Sequence, residues 1–95
     1  MTDGERSGLS RLLLRLPHLR PALSSASSDP TIRDFCEGYD LAWTSFIHWS
    51  GVAGPRAAGL AEEYRQTIKE LEDEIAIVVL LRAEIDPDAA LRAKE

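Results

Sequence analysis

A sixteen-residue stretch, DFCEGYDLAWTSFIHW, holds most of the side chains that could carry out chemistry. It runs from Asp34 to Trp49 and contains the only cysteine, Cys36, one of the two histidines, His48, and five of the six aromatic residues. A nucleophilic cysteine needs a nearby base and electropositive surroundings. On one helix, His48 would lie about 18 Å from Cys36 along the axis, so we expect Cys36 to be a small buried hydrophobe.

The aromatic residues of this stretch recur at spacings of three and four, which is the pattern of one helix face. Because each aromatic side chain buries a large area, we interpret this face as part of a hydrophobic core. The alternative is a pocket lined by Trp43 and Trp49, which would make the chain a small all-α ligand binder or enzyme. The aromatic residues that share the face are Phe35, Tyr39, Trp43 and Phe46.

The two histidines do not match the pattern of a metal site. Di-iron helical bundles place a glutamate three residues before each histidine, but Arg15 precedes His18 and Ser45 precedes His48 at that spacing. Zinc sites need several Cys or His ligands at short spacing, and this chain has one cysteine and two distant histidines. We therefore predict no metal and no cofactor.

A cluster of four carboxylates, Glu70, Glu72, Asp73 and Glu74, could suggest general acid–base catalysis. We expect all four to lie on a solvated helix face, although Glu74 flanks the heptad positions and could instead select a basic partner. The chain also lacks a Gly-rich phosphate loop, a nucleophilic Ser elbow and a Walker-type lysine. These observations together predict a protein without enzymatic activity.

Charge is divided unevenly along the chain, whose net charge is −5. Residues 1–28, the basic arm, carry four arginines against Asp3 and Glu5, whereas the remaining 67 residues carry 7 basic and 14 acidic groups. That acidic body would repel nucleic-acid phosphates. Three roles stay open for the arm: its leucines pack on the body, it docks on a partner, or it contacts a membrane surface or nucleic acid. The candidate docking residues are Arg11, Leu12, Arg15 and Leu16.

Leucines at positions 9, 12, 13 and 16 predict a short amphipathic helix in the arm. Pro17 would end this helix, and Pro21 would prevent a clean restart of it. We expect residues 1–8 to fray and residues 24–28 to form a linker.

Two longer helices are predicted in the body. Residues 30–50 follow a favourable N-cap, Asp29, and precede Gly51, a residue type that commonly ends helices. Residues 55–84 follow a heptad pattern. A buried strand at residues 75–81 is the alternative, which we set aside because no breaker interrupts the chain there and no companion strand exists. The heptad positions are Ala57, Ala61, Tyr64, Ile68, Leu71, Ile75, Val78, Arg82 and Ile85.

The predicted fold is all-α. The short connection at residues 50–54 favours an antiparallel helical hairpin of residues 30–50 and 55–84, within a body at 29–85. A short C-terminal helix or tail would follow at 86–95. The apolar surface exceeds what two helices can bury, so we expect a homodimer in a four-helix arrangement. The predicted dimer or partner interface is Ile68, Leu71, Ile75, Val78 and Leu81.

These features predict a small protein-binding module that acts as a regulator, adaptor or inhibitor of a partner protein. A nucleic-acid-associated regulator that uses the arginine arm is one alternative, and an acidic mimic of nucleic acid that blocks a basic protein is another. No stretch reaches the roughly 18 apolar residues of a membrane span. One cysteine cannot form an internal disulfide, so we expect a cytoplasmic protein.

Overall fold

The computed structural model describes residues 2–85, with side chains as far as Leu81, and this part of the chain contains helices and no strands. The four α-helices pack against one another, so the predicted all-α class is confirmed. Within the described part, no helix combines the length and apolarity needed to cross a membrane. The helix predicted at 86–95 lies outside it. The elements are α1 (Asp3–Arg15), a 3-10 turn (Pro17–Leu19), α2 (Arg20–Ala26), α3 (Pro30–Ser50) and α4 (Pro55–Ile85).

The first helix starts earlier than its leucine periodicity indicates. The Thr2 hydroxyl accepts a hydrogen bond from the Glu5 amide, and the Glu5 carboxylate accepts one from the Thr2 amide, both at 3.1 Å. This capping box starts α1 at Asp3. The prediction that residues 1–8 fray is therefore wrong for residues 3–8.

A second short helix occupies most of the predicted linker. Pro21 lies in the first turn of α2, where proline is tolerated because that amide has no intrahelical acceptor. The expectation that Pro21 prevents a clean restart of the helix is thus wrong, and so is the linker at residues 24–26. The side chains of Leu19 and Leu23 enter the core and are 5% and 0% exposed.

Helices α3 and α4 lie within a residue of their predicted boundaries. Asp29 caps α3, because its carboxylate accepts hydrogen bonds from two amides of the first turn. Gly51 ends α3 with a right-handed φ of −89°, and Gly54 is the residue of the connection with a left-handed φ, at 111°. Residues 75–81 are helical, so the alternative strand does not form.

Helix α3 packs against both α1 and α4. Ile32 and Cys36 of α3 join Leu12 of α1 in one core, and none of the three is more than 1% exposed. The backbones of α1 and α3 approach closely at Gly8, where an added Cβ would overlap the Cys36 carbonyl group. Most leucines of the arm therefore pack on the body, whereas Leu14 is exposed.

The five residues predicted for a dimer or partner interface lie in different environments. Ile68 and Ile75 are 3% and 1% exposed within the single chain, and Leu71 and Val78 are half-buried. Leu81, by contrast, is 51% exposed. Much of the heptad seam is therefore used inside the chain, and an interface between copies stays a prediction.

Candidate functional site

A buried carboxylate links three helices. Glu72 of α4 is 9% exposed. Its Oε2 accepts a hydrogen bond from the Tyr39 hydroxyl of α3 at 2.5 Å and one from Arg15 Nε of α1 at 2.8 Å. Oε1 accepts a further hydrogen bond from Arg15 Nη2 at 3.3 Å. This bidentate pairing of guanidinium and carboxylate is stronger than a contact through a single hydrogen bond. We name Arg15, Tyr39 and Glu72 the Glu72 network.

Each member of the Glu72 network keeps one protonation state around neutral pH. Burial pushes the pKa of Glu72 upward, but hydrogen bonds from Arg15 and Tyr39 and the Arg15 charge outweigh burial, so this pKa is lowered. Burial and the hydrogen bond to Glu72 raise the pKa of Tyr39 to about 12. The hydrogen bond to Glu72 and the Glu72 charge raise the pKa of Arg15. This arrangement favours a structural role for the network over proton transfer.

Two arginines of α1 lie over the indole ring of Trp43 on α3. The guanidinium carbons of Arg11 and Arg15 are 5.4 and 5.7 Å from the ring centroid, within the range of cation–π attraction. Arg11 Nε also lies 3.6 Å from Asp40 Oδ1, which is an ion pair without a hydrogen bond. Arg11 and Arg15 are therefore both paired with carboxylates inside the chain.

An open cleft of about 380 Å³ lies beside the Glu72 network. Trp43 and Phe46 form its aromatic wall and pack edge to face, with their ring centroids 5.8 Å apart. Arg65 and Lys69 lie one helical turn apart on α4 and add positive charge to the lining. We name this feature the Trp43 cleft. Its lining residues are Arg15, Trp43, Phe46, Arg65, Ile68, Lys69 and Glu72.

A second surface feature follows one exposed face of α4. Side chains on this face recur at spacings of three and four, so they form a continuous row along the helix. The first half of the row is acidic and the second half is apolar. Its apolar members, Ile77, Leu80 and Leu81, are 60%, 58% and 51% exposed. We name the set the outer row; its members are Glu70, Asp73, Glu74, Ile77, Leu80 and Leu81.

The two tryptophans of the predicted ligand pocket lie in different places. Trp43 lines the cleft, whereas Trp49 packs edge to face on His48, with ring centroids 4.9 Å apart, and is not part of the cleft lining. Cys36 is 0% exposed, and burial together with the Glu5 charge raises its pKa to about 11. Cys36 is therefore buried, as predicted, and its thiol is protonated near neutral pH.

The predicted arm-docking residues make contacts within the chain. Leu12 is 0% exposed in the core, and Leu16 is half-buried against it. Arg11 and Arg15 contact Asp40 and Glu72 as described above. Docking of these four residues on a separate partner stays a prediction, and such a partner would have to compete with these internal contacts.

Sequence reasoning missed the environment of Glu72. The prediction that all four clustered carboxylates are solvated is wrong for this residue, although it describes the other three. A signal was present, because Ile68, Glu72, Ile75 and Val79 recur at spacings of four and three, and the three apolar members are at most 3% exposed. Glu72 therefore sits on a buried helix face and needs polar partners.

Comparison with known proteins supplies no relative for this chain: no protein-family model matches it, and no curated protein or solved structure is significantly similar to it. Among the side chains that the structure describes, as far as Leu81, no group of three or more His, Cys, Asp or Glu residues is placed to hold a metal ion. Functional inference therefore rests on the Glu72 network, the Trp43 cleft and the outer row.

Proposed function

We propose that this protein is a non-enzymatic, helical protein-binding module, a regulator, adaptor or inhibitor, whose outer row binds a basic amphipathic helix of a partner protein. In this proposal residues 30–50 and 55–84 form an antiparallel hairpin that serves as a rigid scaffold. The Glu72 network fixes α4 against α3 and α1. The observation that carries the proposal is the division of the outer row into an acidic half and an apolar half.

The apolar half of the outer row would provide the hydrophobic driving force for binding. Ile77, Leu80 and Leu81 are adjacent on the helix surface, and each is more than half exposed. Because each side chain is already partly buried within the chain, covering its exposed half would stabilise a complex by about 0.8–1.5 kcal/mol, half of the value for full burial. Apolar residues at these spacings are the anchors used when one amphipathic helix packs on another.

The acidic half of the outer row would determine which partner helix binds. Glu70, Asp73 and Glu74 are exposed and directly precede the apolar half along the same face. A partner helix would match this surface with apolar residues followed, one or two turns away, by Lys or Arg. The overall net charge of −5 would also attract a basic segment before contact.

A second copy of the chain fits the full length of the outer row less well. In a parallel pairing the carboxylates would face carboxylates, and in an antiparallel pairing along the whole row they would face apolar side chains. Both arrangements are unfavourable. Nucleic-acid binding by the arm is also disfavoured, because Arg11 and Arg15 are already paired with Asp40 and Glu72.

Calorimetric titration with a synthetic helical peptide tests the proposal. The peptide carries leucines at helical spacings of three and four, followed by lysines one turn away, and the control peptide carries serines in place of the leucines. Saturable binding of the first peptide alone is expected. Ile77→Ser and Leu81→Ser should each weaken it about fourfold to tenfold, since about half of each side chain remains to be buried in the complex, which corresponds to about 0.8–1.5 kcal/mol.

The matched control variant is Leu41→Ser, because Leu41 is 67% exposed on α3 and lies outside the outer row. Its affinity for the peptide should equal that of the wild type. Equal affinity of the two peptides would overturn the proposal. Light scattering of the chain alone provides a second check: a doubling of mass that Leu81→Ser abolishes would assign the outer row to a second copy instead.

A further inference from the structure

The Trp43 cleft combines an aromatic wall with positive charge in an otherwise acidic protein. Its volume of about 380 Å³ lies in the usual range for small-molecule sites. Trp43 and Phe46 meet edge to face, and the guanidinium groups of Arg11 and Arg15 lie over the Trp43 ring, so Trp43 and Phe46 together present an aromatic wall to the cleft. The volume and the aromatic wall thus suit a single aromatic ring.

The charges around the cleft select an anion. Arg15, Arg65 and Lys69 line it together with a single carboxylate, Glu72. Glu72 is paired with Arg15 through two hydrogen bonds and accepts a third from Tyr39, so the opposite charges of Arg15 and Glu72 offset each other in the lining. Arg65 and Lys69 therefore give the lining residues an excess of positive charge.

Lys69 is the cation best placed to receive a ligand. Arg65 donates to Glu62 through Nε and Nη2, at 2.9 and 2.6 Å, and Arg15 is paired with Glu72. Lys69 forms no ion pair with any residue in the described part of the chain. Its ammonium group is a mobile point charge on a long stem, which suits a single carboxylate or other small anion.

We infer that the Trp43 cleft binds a small aromatic carboxylate, with the ring against Trp43 and Phe46 and the carboxylate at Lys69. This inference concerns a site separate from the outer row and does not depend on the proposed partner helix. The same chemistry could come from a free aromatic acid or from the C-terminal end of a polypeptide that finishes in an aromatic residue.

Nuclear magnetic resonance titration of the full chain with phenylacetate tests the inference. The backbone amide of Lys69 and the indole N–H of Trp43 should shift in a saturable way, while the indole N–H of Trp49, outside the cleft, should not move. Phenylacetamide has the same shape without the charge, and it should bind about fivefold to tenfold more weakly. Equal affinity for the acid and the amide would overturn the inference, as would the absence of saturable shifts at Trp43.

Variants distinguish a specific contact between Lys69 and the ligand carboxylate from a general effect of the protein's charge on binding. Lys69→Gln should weaken phenylacetate binding about fivefold to tenfold, and Lys69→Arg should retain it. Arg56→Gln removes an exposed charge of α4 outside the cleft and should have no effect. Equal effects of Lys69→Gln and Arg56→Gln would contradict the assignment. N-acetylphenylalanine distinguishes the sources: tighter binding than phenylacetate supports the shared chemistry and points to a polypeptide end.

Discussion

The Tyr39 hydroxyl donates a hydrogen bond to Glu72 at 2.5 Å, across the contact between α3 and α4 and inside the core. Tyr39 is 0% exposed and Glu72 is 9% exposed. Arg15, on α1, adds two hydrogen bonds to the same carboxylate. A buried charge is costly unless several partners satisfy it. The three helices must therefore come together in one register for Glu72 to be satisfied.

Replacement of Tyr39 tests the energetic value of this contact. Tyr39→Phe keeps the ring but removes the donor, and a hydrogen bond to a charged group contributes about 1.5–3 kcal/mol. We expect the free energy of unfolding, measured by urea denaturation, to fall by that amount. Tyr64→Phe is the matched control on α4, because Tyr64 is only half-buried and its hydroxyl makes no hydrogen bond with the described residues. A similar loss in both variants would argue against a special role for Tyr39.

Acid should destabilise the protein through Glu72. Its pKa is lower in the folded protein than the ordinary value of 4.5, so below that value the unfolded chain binds more protons than the folded chain. The stabilisation is complete above about pH 4.5 and is lost as the pH falls through the lower folded pKa. Glu72→Gln should therefore be less stable than the wild type near neutral pH, and the difference should shrink in acid. Urea midpoints of both proteins across this range measure it; a constant difference would contradict the pKa shift.

The close approach of α1 and α3 makes Gly8 sensitive to a single methyl group. Because a Cβ at Gly8 would overlap the Cys36 carbonyl group, the backbone must shift in Gly8→Ala, at a cost of about 1–3 kcal/mol or more. Gly59→Ala is the control, since its Cβ would meet nothing within 4 Å and alanine favours the helix by about 0.5–1 kcal/mol. Thermal melts followed by circular dichroism should show opposite shifts for the two variants. A stabilised Gly8→Ala would mean that the helices do not approach so closely.

Two leucines of α1 test whether the arm belongs to the core. Leu12 is 0% exposed and Leu14 is 77% exposed. Leu12→Ala should lower the free energy of unfolding by about 2–5 kcal/mol, whereas Leu14→Ala should change it by less than about 0.5 kcal/mol. Equal, small effects in urea denaturation would indicate that the arm does not pack on the body in solution.

Local signals made much of the helical layout predictable. Asp29 followed by Pro30 marks the start of α3, and the spacing of its apolar residues identifies the buried face that contains Cys36. The N-terminal start of α1 was also encoded, as Thr2 and Glu5 at capping-box spacing. It was missed because the leucine periodicity begins only at Leu9.

The Glu72 network could not be predicted from local sequence patterns, and the reason is physical. The position of Glu72 between Ile68 and Ile75 shows that it lies on a buried face. Its partners come from other helices, however, at sequence separations of 33 and 57 residues. Such pairings depend on the packing of three helices, which no window along the sequence contains. The Trp43 cleft could not be predicted for the same reason, because its lining residues come from α1, α3 and α4.

Reversing the charges of the protein surface and of the peptide by substitution tests the proposed binding of a basic helix most directly. The protein variant carries lysines in place of Glu70, Asp73 and Glu74, and the peptides differ only in having lysines or glutamates beside the same leucines. All three positions are exposed, and circular dichroism would verify that the variant remains helical. Calorimetry should show that the wild type prefers the basic peptide and that the variant prefers the acidic one, by about tenfold each at low salt. Equal affinities in all four combinations would contradict the account.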